Sequence, residues 1–256
     1  MSLSKFTRTV TPFKLALLCG AVMPFMLAAP ATQAETLGKD DVKAIIAEYL
    51  QENPKVVIDA LEAYRVQEEK RQEAEASSKL KQFKPYFTAA DRPSAGASAD
   101  KAKITIVEFF DYNCGYCKRA LPDVVSAISE NDDVRVVFQE MPILSPLSQN
   151  AAKWAEAAHF QGKYFEFHKG LMEFQGNKTE DALSDIAKKA GLDVAKLKKD
   201  AESKEVQENI EKSMAAAREI GIQGTPAFIV GDTLYRGYIG EDGMRQAIEE
   251  ARKTVQ

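Results

Sequence analysis

The chain has 256 residues, 45% hydrophobic and 28% charged, which supplies apolar material for a packed core and excludes a wholly disordered polymer. Fourteen glycines, ten prolines and three cysteines exclude a collagen-like chain and a cysteine-dense miniprotein. A formal net charge of -4, with no clustered basic patch, argues against a protein built to grip nucleic-acid phosphates.

Lys5, Arg8 and Lys14 precede an apolar run from Leu15 to Ala29, and small residues close the segment at Ala29-Pro30-Ala31-Thr32-Gln33-Ala34. This order predicts a secretory signal peptide over residues 1–34, cleaved near Ala34. An uncleaved anchor is the weaker alternative, because a run of about fifteen residues broken by Pro24 is short for a membrane span. A lipoprotein signal through Cys19 is weaker still, since bulky Leu18 stands where a small residue is needed. Cleavage removes three of 34 basic residues and no acidic one, leaving 31 against 38, a net of -7. It also removes Cys19, so Cys114 and Cys117 are the only cysteines of an exported, periplasmic protein. Disulfides persist there, but one close pair makes no stapling framework.

From Asp40 to Leu50, the residues Val42, Ile45, Ile46, Tyr49 and Leu50 recur at helical spacing and make one apolar stripe. Asn53-Pro54 interrupts it, with Asn53 expected to cap a second helix and Pro54 at its first position. Val57, Leu61 and Tyr64 carry the second stripe. Residues 35–66 thus read as a helical module whose face must be covered, and self-association is the favoured cover. Gln67 to Lys81 is almost all Glu, Lys, Arg, Gln, Ala and Ser, and Asp91 to Asp100 holds Pro93 and Gly96. Residues 67–100 are therefore expected to form a charged helical rod and flexible linker.

Ile104 to Phe110 is β-branched and aromatic and predicts a buried strand, followed by a helix starting near Asn113. Val134 to Phe138 predicts a second strand. A helical block over about 147–220 follows, with breaks at Gly162, Gly176 and Gly191. Ala227–Val230 and Thr233–Tyr235 flank Gly231-Asp232, a hairpin signal, and Gly240 to Thr254 is a final helix. Residues 101–256 thus read as an α/β domain with a helical insertion.

Cys114-Gly115-Tyr116-Cys117 stands at the predicted strand-to-helix junction. In the first helical turn, free N–H groups and the helix dipole favour a Cys114 thiolate. Cys117, one turn later, is placed to attack a mixed disulfide formed by Cys114, and Gly115 leaves room for a partner to approach. Glu108, on the strand beneath, is a candidate proton carrier for Cys117. A zinc half-site would need two more ligands, but only His159 and His168 exist, at a spacing that fits no compact motif. A purely structural disulfide would close too small a ring to constrain much chain. Redox chemistry is the expectation, with no metal and no cofactor.

Val107-Glu108-Phe109-Phe110, then Cys114-Gly115-Tyr116-Cys117-Lys118 and Pro122, resembles the first strand and active-site helix of the DsbA-type thioredoxin superfamily. Gly221-Ile222-Gln223-Gly224-Thr225-Pro226-Ala227-Phe228 resembles that family's second landmark, a cis-proline loop facing the cysteines. Gly237-Tyr238-Ile239-Gly240 is similar to its last turn. The resemblance implies a thioredoxin-like fold with a helical insertion, a cis Thr225–Pro226 bond, and a client peptide pairing with backbone near Gly224 and Thr225 and touching Gly115 and Tyr116. Ile45 to Pro54, followed by Val57-Ile58-Asp59-Ala60-Leu61, resembles the N-terminal module of the suppressor-of-copper-sensitivity protein C group, which implies a trimer. Gly115-Tyr116 departs from the Pro-His of the DsbA oxidases and matches the dipeptide of a bacterial isomerase.

The expectation is an exported thiol:disulfide oxidoreductase, with Cys114 as nucleophile and Cys117 as resolving thiol. It would act as an oligomeric isomerase or reductase on misfolded or reduced exported proteins, kept reduced by a membrane electron donor. A DsbA-type oxidase, recharged by a membrane oxidant, is the alternative. Two further readings come from other classes: a Cu(I)-binding copper-tolerance protein, since two thiolates suit a soft ion, and a chaperone using the apolar stripe. His159, His168, Trp154 and the Phe160–Phe167 aromatics are read as core or surface residues without chemistry.

Overall fold

The computed structural model describes residues 38–255, so the signal-peptide segment lies outside the described residues. The described chain falls into two units, one reaching Val57 and the other beginning at Ile58.

In the first unit, α1 (Lys39–Glu52) opens with Asp41 accepting the Gly38 N–H at 2.9 Å, which satisfies one of the free donors of a helix start. Val42, Ile45, Ile46, Tyr49 and Leu50 all lie on it and all are exposed, and α1 buries no residue. Asn53 corrects one expectation. Its backbone N–H and its side-chain amide both donate to the Tyr49 carbonyl at 2.9 Å, so it closes the end of α1 rather than capping the next helix with its side chain. Pro54 does stand first in α2 (Pro54–Thr88), where a missing N–H costs nothing.

In the second unit, α2 runs unbroken to Thr88 through the charged stretch, which Arg71 stitches by bonds to Glu68 at 3.0 Å and Glu75 at 2.6 Å. Beyond that point the linker expectation fails. Ala76, Leu80 and Phe87 are buried and pack with Val107, Phe109, Val137 and Ile229 on one face of the sheet. The Arg135 guanidinium, itself buried, donates to the Thr88 and Ala89 carbonyls at 3.0 and 2.9 Å and closes the end of the helix. Residues expected to be a flexible boundary then supply β1 (Ser94–Gly96), an edge strand antiparallel to the second main strand.

The sheet has the order β1-β3-β2-β4-β5. At its centre β2 (Ile104–Phe110) and β3 (Val134–Glu140) run parallel, with Ile104 opposite Val134 and Phe110 opposite Glu140. The hairpin β4 (Ala227–Val230) and β5 (Thr233–Arg236) adds antiparallel to β2, with Phe109 opposite Ala227. Two faces follow from strand alternation. Ile104, Ile106 and Phe110 face a core shared with α3 (Gly115–Ser129) and α9 (Gly240–Val255), while Val107 and Phe109 face α2. The helical insertion comprises α4 (Pro146–His159), α5 (Tyr164–Glu173), α6 (Glu180–Lys189), α7 (Val194–Ala201) and α8 (Lys204–Ile220). Gly162, Gly176 and Gly191 all fall between helices, as the sequence predicts. Gly221, with φ of +77°, ends α8 in the left-handed conformation that glycine adopts without strain. Among the described residues no helix is long and apolar enough to cross a membrane.

Candidate functional site

Parallel pairing of β2 with β3 ends at Phe110, and the chain turns through Asp111, Tyr112 and Asn113 into α3. The Cys114 N–H donates to the Asp111 carbonyl at 3.0 Å, which tightens that turn. Cys114 is the N-cap of α3, in extended backbone conformation, and its carbonyl accepts the Lys118 N–H at 3.1 Å. Its sulfur therefore sits where a helix leaves N–H groups unpaired.

The two cysteines are free thiols in unequal surroundings. Cys114 is 8% exposed and Cys117 only 1%. A hydrogen bond from the Cys117 thiol draws the Cys114 thiol down to about 5, helped by the Thr225 side chain and the N–H groups of Cys117 and Tyr116, against partial burial. Burial drives Cys117 far above the ordinary thiol range, with the Cys114 bond and the Glu108 charge adding to it. Glu108 is buried on the β2 face that carries Ile106 and Phe110, the face turned to α3. Burial, with a smaller contribution from the neighbouring Cys114 charge, raises its carboxyl to about 8. At neutral pH the arrangement therefore holds an outer thiolate, an inner thiol and a largely protonated acid.

The loop from Gly221 to Pro226 brings a distant part of the chain to the same place. The Thr225–Pro226 bond is cis, and the Cys114 sulfur lies 3.3 Å from the Thr225 carbonyl oxygen, to which it donates only in its protonated form. Pro226 is buried and its carbonyl accepts the Gly237 N–H at 2.9 Å, while Gly224 is exposed. Gly115 is exposed, and a Cβ placed on it would meet nothing within 4 Å. Tyr116 is 59% exposed, with its ring 6.4 Å from Tyr238 and the Arg119 guanidinium 5.3 Å from its centroid. Cys114, Cys117, Glu108, Thr225, Pro226, Gly115, Tyr116 and Gly224 are thus gathered at or beside the end of α3. Among the described residues, no group of three or more His, Cys, Asp or Glu side chains is arranged to hold a metal ion.

Sequence reasoning missed the groups that hold the turn. Asp111 is buried, and its carboxylate accepts the Asn113 N–H and the Ser148 hydroxyl at 2.7 Å and the Leu144 N–H at 2.9 Å. On the other side, Tyr112 donates to Glu140 at 3.0 Å, Tyr164 donates to the same oxygen at 2.7 Å, and His168 Nδ1 lies 3.2 Å from the Tyr112 hydroxyl. Burial pushes Glu140 well above the carboxylate range and His168 down to about 3, so both are neutral. Asp111 and Asn113 flank the cysteines in sequence and were visible as polar residues at a strand end. Nothing in the local sequence marked Glu140, Ser148 or His168, because their partners come from other elements.

The comparisons bear on what this geometry is. Residues 105–249, more than half of the chain, match the model of the DSBA-like thioredoxin domain. The chain belongs to the DSBA-like thioredoxin family. Residues 39–75 match a second model, the copper resistance protein ScsC N-terminal domain. This DSBA-like chain is 41% identical to a thioredoxin-like oxidoreductase from Silicibacter pomeroyi, over 65% of its own length and 95% of the other, with a TM-score of 0.62. It is 28% identical to BcfH of Salmonella enterica Typhimurium, over 83% and 95% of the two chains, with a TM-score of 0.71. It is also 28% identical over 153 residues to the Na(+)/H(+) antiporter NhaA 1 of Salinispora arenicola, covering 59% of this chain but only 24% of the antiporter. The chain therefore spans about a quarter of the length of such relatives. The DSBA-like match supports thiol–disulfide oxidoreductase activity in general terms; its direction, clients and assembly are a separate matter.

Proposed function

We propose that this protein is an exported, periplasmic thiol:disulfide oxidoreductase that works chiefly as an oligomeric disulfide isomerase or reductase on misfolded proteins. The observation that carries the thiol chemistry is the asymmetry of the pair: a Cys114 sulfur held ionised at a helix start, beside a buried Cys117 thiol. In the first step the Cys114 thiolate attacks one sulfur of a client disulfide, forming a mixed disulfide and releasing the other client sulfur as a thiolate. In isomerisation that thiolate attacks a second client disulfide, and a client thiolate finally expels Cys114 with no net redox change. In reduction the Cys117 thiol gives up its proton and attacks the Cys114 sulfur. The client leaves as a dithiol while Cys114 and Cys117 become a disulfide, which a membrane electron donor must reduce again. Glu108 is the buried group that accepts and returns the Cys117 proton, acting as the carboxylate, whose fraction grows once the mixed disulfide removes the Cys114 charge that helps hold it protonated. The Gly224–Thr225 backbone and the exposed Gly115 and Tyr116 are the surfaces on which a client strand lies, and Pro226 places no N–H there to compete.

The apolar residues of α1, exposed at Val42, Ile45, Ile46, Tyr49 and Leu50, support self-association, and the resemblance of this segment to the suppressor-of-copper-sensitivity protein C module implies a trimer. Several thiolates in one assembly raise the local thiol concentration around a client. A Cys114 thiol lowered to about 5 also supports a second reading, because stabilising the reduced form makes the pair oxidising. Recovery of a scrambled-disulfide client by residues 35–256, compared with the same chain carrying Ile45→Glu and Tyr49→Glu, separates the two. Recovery that is lost in the variant supports the oligomeric isomerase. No recovery by either, together with oxidation of a reduced client by both, overturns it in favour of the oxidase.

A further inference from the structure

Lys178 lies in the loop between α5 and α6 and is fully buried, which is rare for an ammonium group without a close counter-ion. Its hydrogen bond goes not to a carboxylate but to the Asn113 amide oxygen, at 3.3 Å. The other end of that amide donates to Ser145 and Ser148 at 3.0 and 2.9 Å, and Ser148 passes its hydroxyl hydrogen to Asp111. Asn113 thus joins a buried cation on one side to a buried acid on the other, and it is the residue directly before Cys114. Burial, with the charge and close side-chain contact of Lys118 from α3, brings the Lys178 ammonium down to about 8, while Asp111 acts the other way and favours its charge. Lys118 also donates to the Phe174 carbonyl at 2.8 Å.

We propose that Lys178 is a positioning residue of the dithiol site, holding the Asp111–Cys114 turn through Asn113 so that the Cys114 sulfur faces the open end of α3. The thiolate is stabilised first by the Cys117 thiol, then by the Thr225 side chain and the N–H groups of Cys117 and Tyr116, and all of these but Thr225 belong to α3. Cys114 is fixed from the other side, by the turn, so the fit between sulfur and helix end depends on how firmly the turn is held. The insertion loop then does more than decorate the fold: it sets how acidic, and so how oxidising, the pair is. Cys114 remains the catalytic residue.

This inference rests on the thiol-exchange reading, and the test reads the two separately. In the full chain, Lys178→Met should raise the midpoint of the Cys114 thiolate titration, followed by thiolate ultraviolet absorbance, by about one unit. It should also shift the equilibrium with glutathione about tenfold toward the protein disulfide, or ~30 mV more reducing. Asn113→Ala, which keeps the lysine and removes the bridge, should move both readings the same way. A Lys178→Met protein that melts earlier but titrates and equilibrates like the wild type overturns the proposal and leaves Lys178 a loop staple. If that variant does not fold, an unchanged titration in Asn113→Ala overturns it instead. A wild type whose Cys114 exchanges with no disulfide defeats the thiol-exchange reading, while the titrations still decide the role of Lys178.

Discussion

The two ends of α2 carry the same kind of apolar spacing and opposite fates. Val57, Leu61 and Tyr64 recur at intervals of four and three and are all exposed, whereas Ala76, Leu80 and Phe87 recur at four and seven and are all buried against the sheet. A stripe states that a helix has a side to cover, but the cover is supplied by the rest of the protein. In the second case the cover is β2, β3 and β4 of the same chain. In the first no described residue supplies it, and the proposed assembly would.

Four experiments break or sharpen that comparison. The largest effect belongs to the unit that is already covered: Cys114→Ser should abolish disulfide exchange, by about three orders of magnitude or more, in a protein that still folds and loses only the stability the Cys114 thiolate supplies. A chaperone using only the stripe would keep its activity in that variant. Next, Phe87→Ala should destabilise the unit by about 3–5 kcal/mol in denaturant unfolding, because Phe87 is buried and its ring meets Phe109 edge-on at 5.7 Å. Leu61→Ala should cost under about 0.5 kcal/mol in dilute monomer, rising with protein concentration if an assembly covers it. Third, Ile45→Glu with Tyr49→Glu should reduce the mass measured by light scattering to that of a monomer. A mass that stays unchanged would show that the stripe is not the contact.

The smallest effects are the pH dependences of the reduced protein. Cys114 has a folded value of about 5, below its ordinary 9.0, so its contribution to stability is complete above 9 and is lost as pH falls through 5. Glu108 is raised from 4.5 to about 8, so its contribution is complete below 4.5 and is lost as pH rises through 8. The two slopes oppose one another between 5 and 8. Glu108→Gln should remove the falling one, so that stability measured by urea unfolding climbs with pH more steeply than in the wild type. The same slope in both proteins would mean that Glu108 is not held neutral by the fold.

Truncation needs care for the reason the comparison exposes. A chain begun near Ser98, at the expected linker, would lose Phe87 from the core and β1 from the sheet edge. Beginning near Gln67 removes the α1 stripe and keeps both.

What the sequence by itself determined was local. Cys114 and Cys117 stand one helical turn apart, so a strand pattern followed by a helix pattern was enough to place them at a helix start with Glu108 on the strand beneath. Glycine breaks and the Gly231-Asp232 hairpin were equally legible, since backbone conformation is settled by the residues that adopt it. The Thr225–Pro226 loop was reached through a resemblance, because nothing in its composition says that it faces Cys114. Tertiary structure alone decided the remainder. Ser94-Ala95-Gly96 has no side-chain pattern and is a strand only because β3 offers an unpaired edge. Lys178 and Asn113 are 65 residues apart, and burial brings them together by removing the water that would otherwise satisfy each. Asp111, Glu140 and His168 depend likewise on partners from other elements, and no periodicity in a chain records which distant groups will share a dry interior.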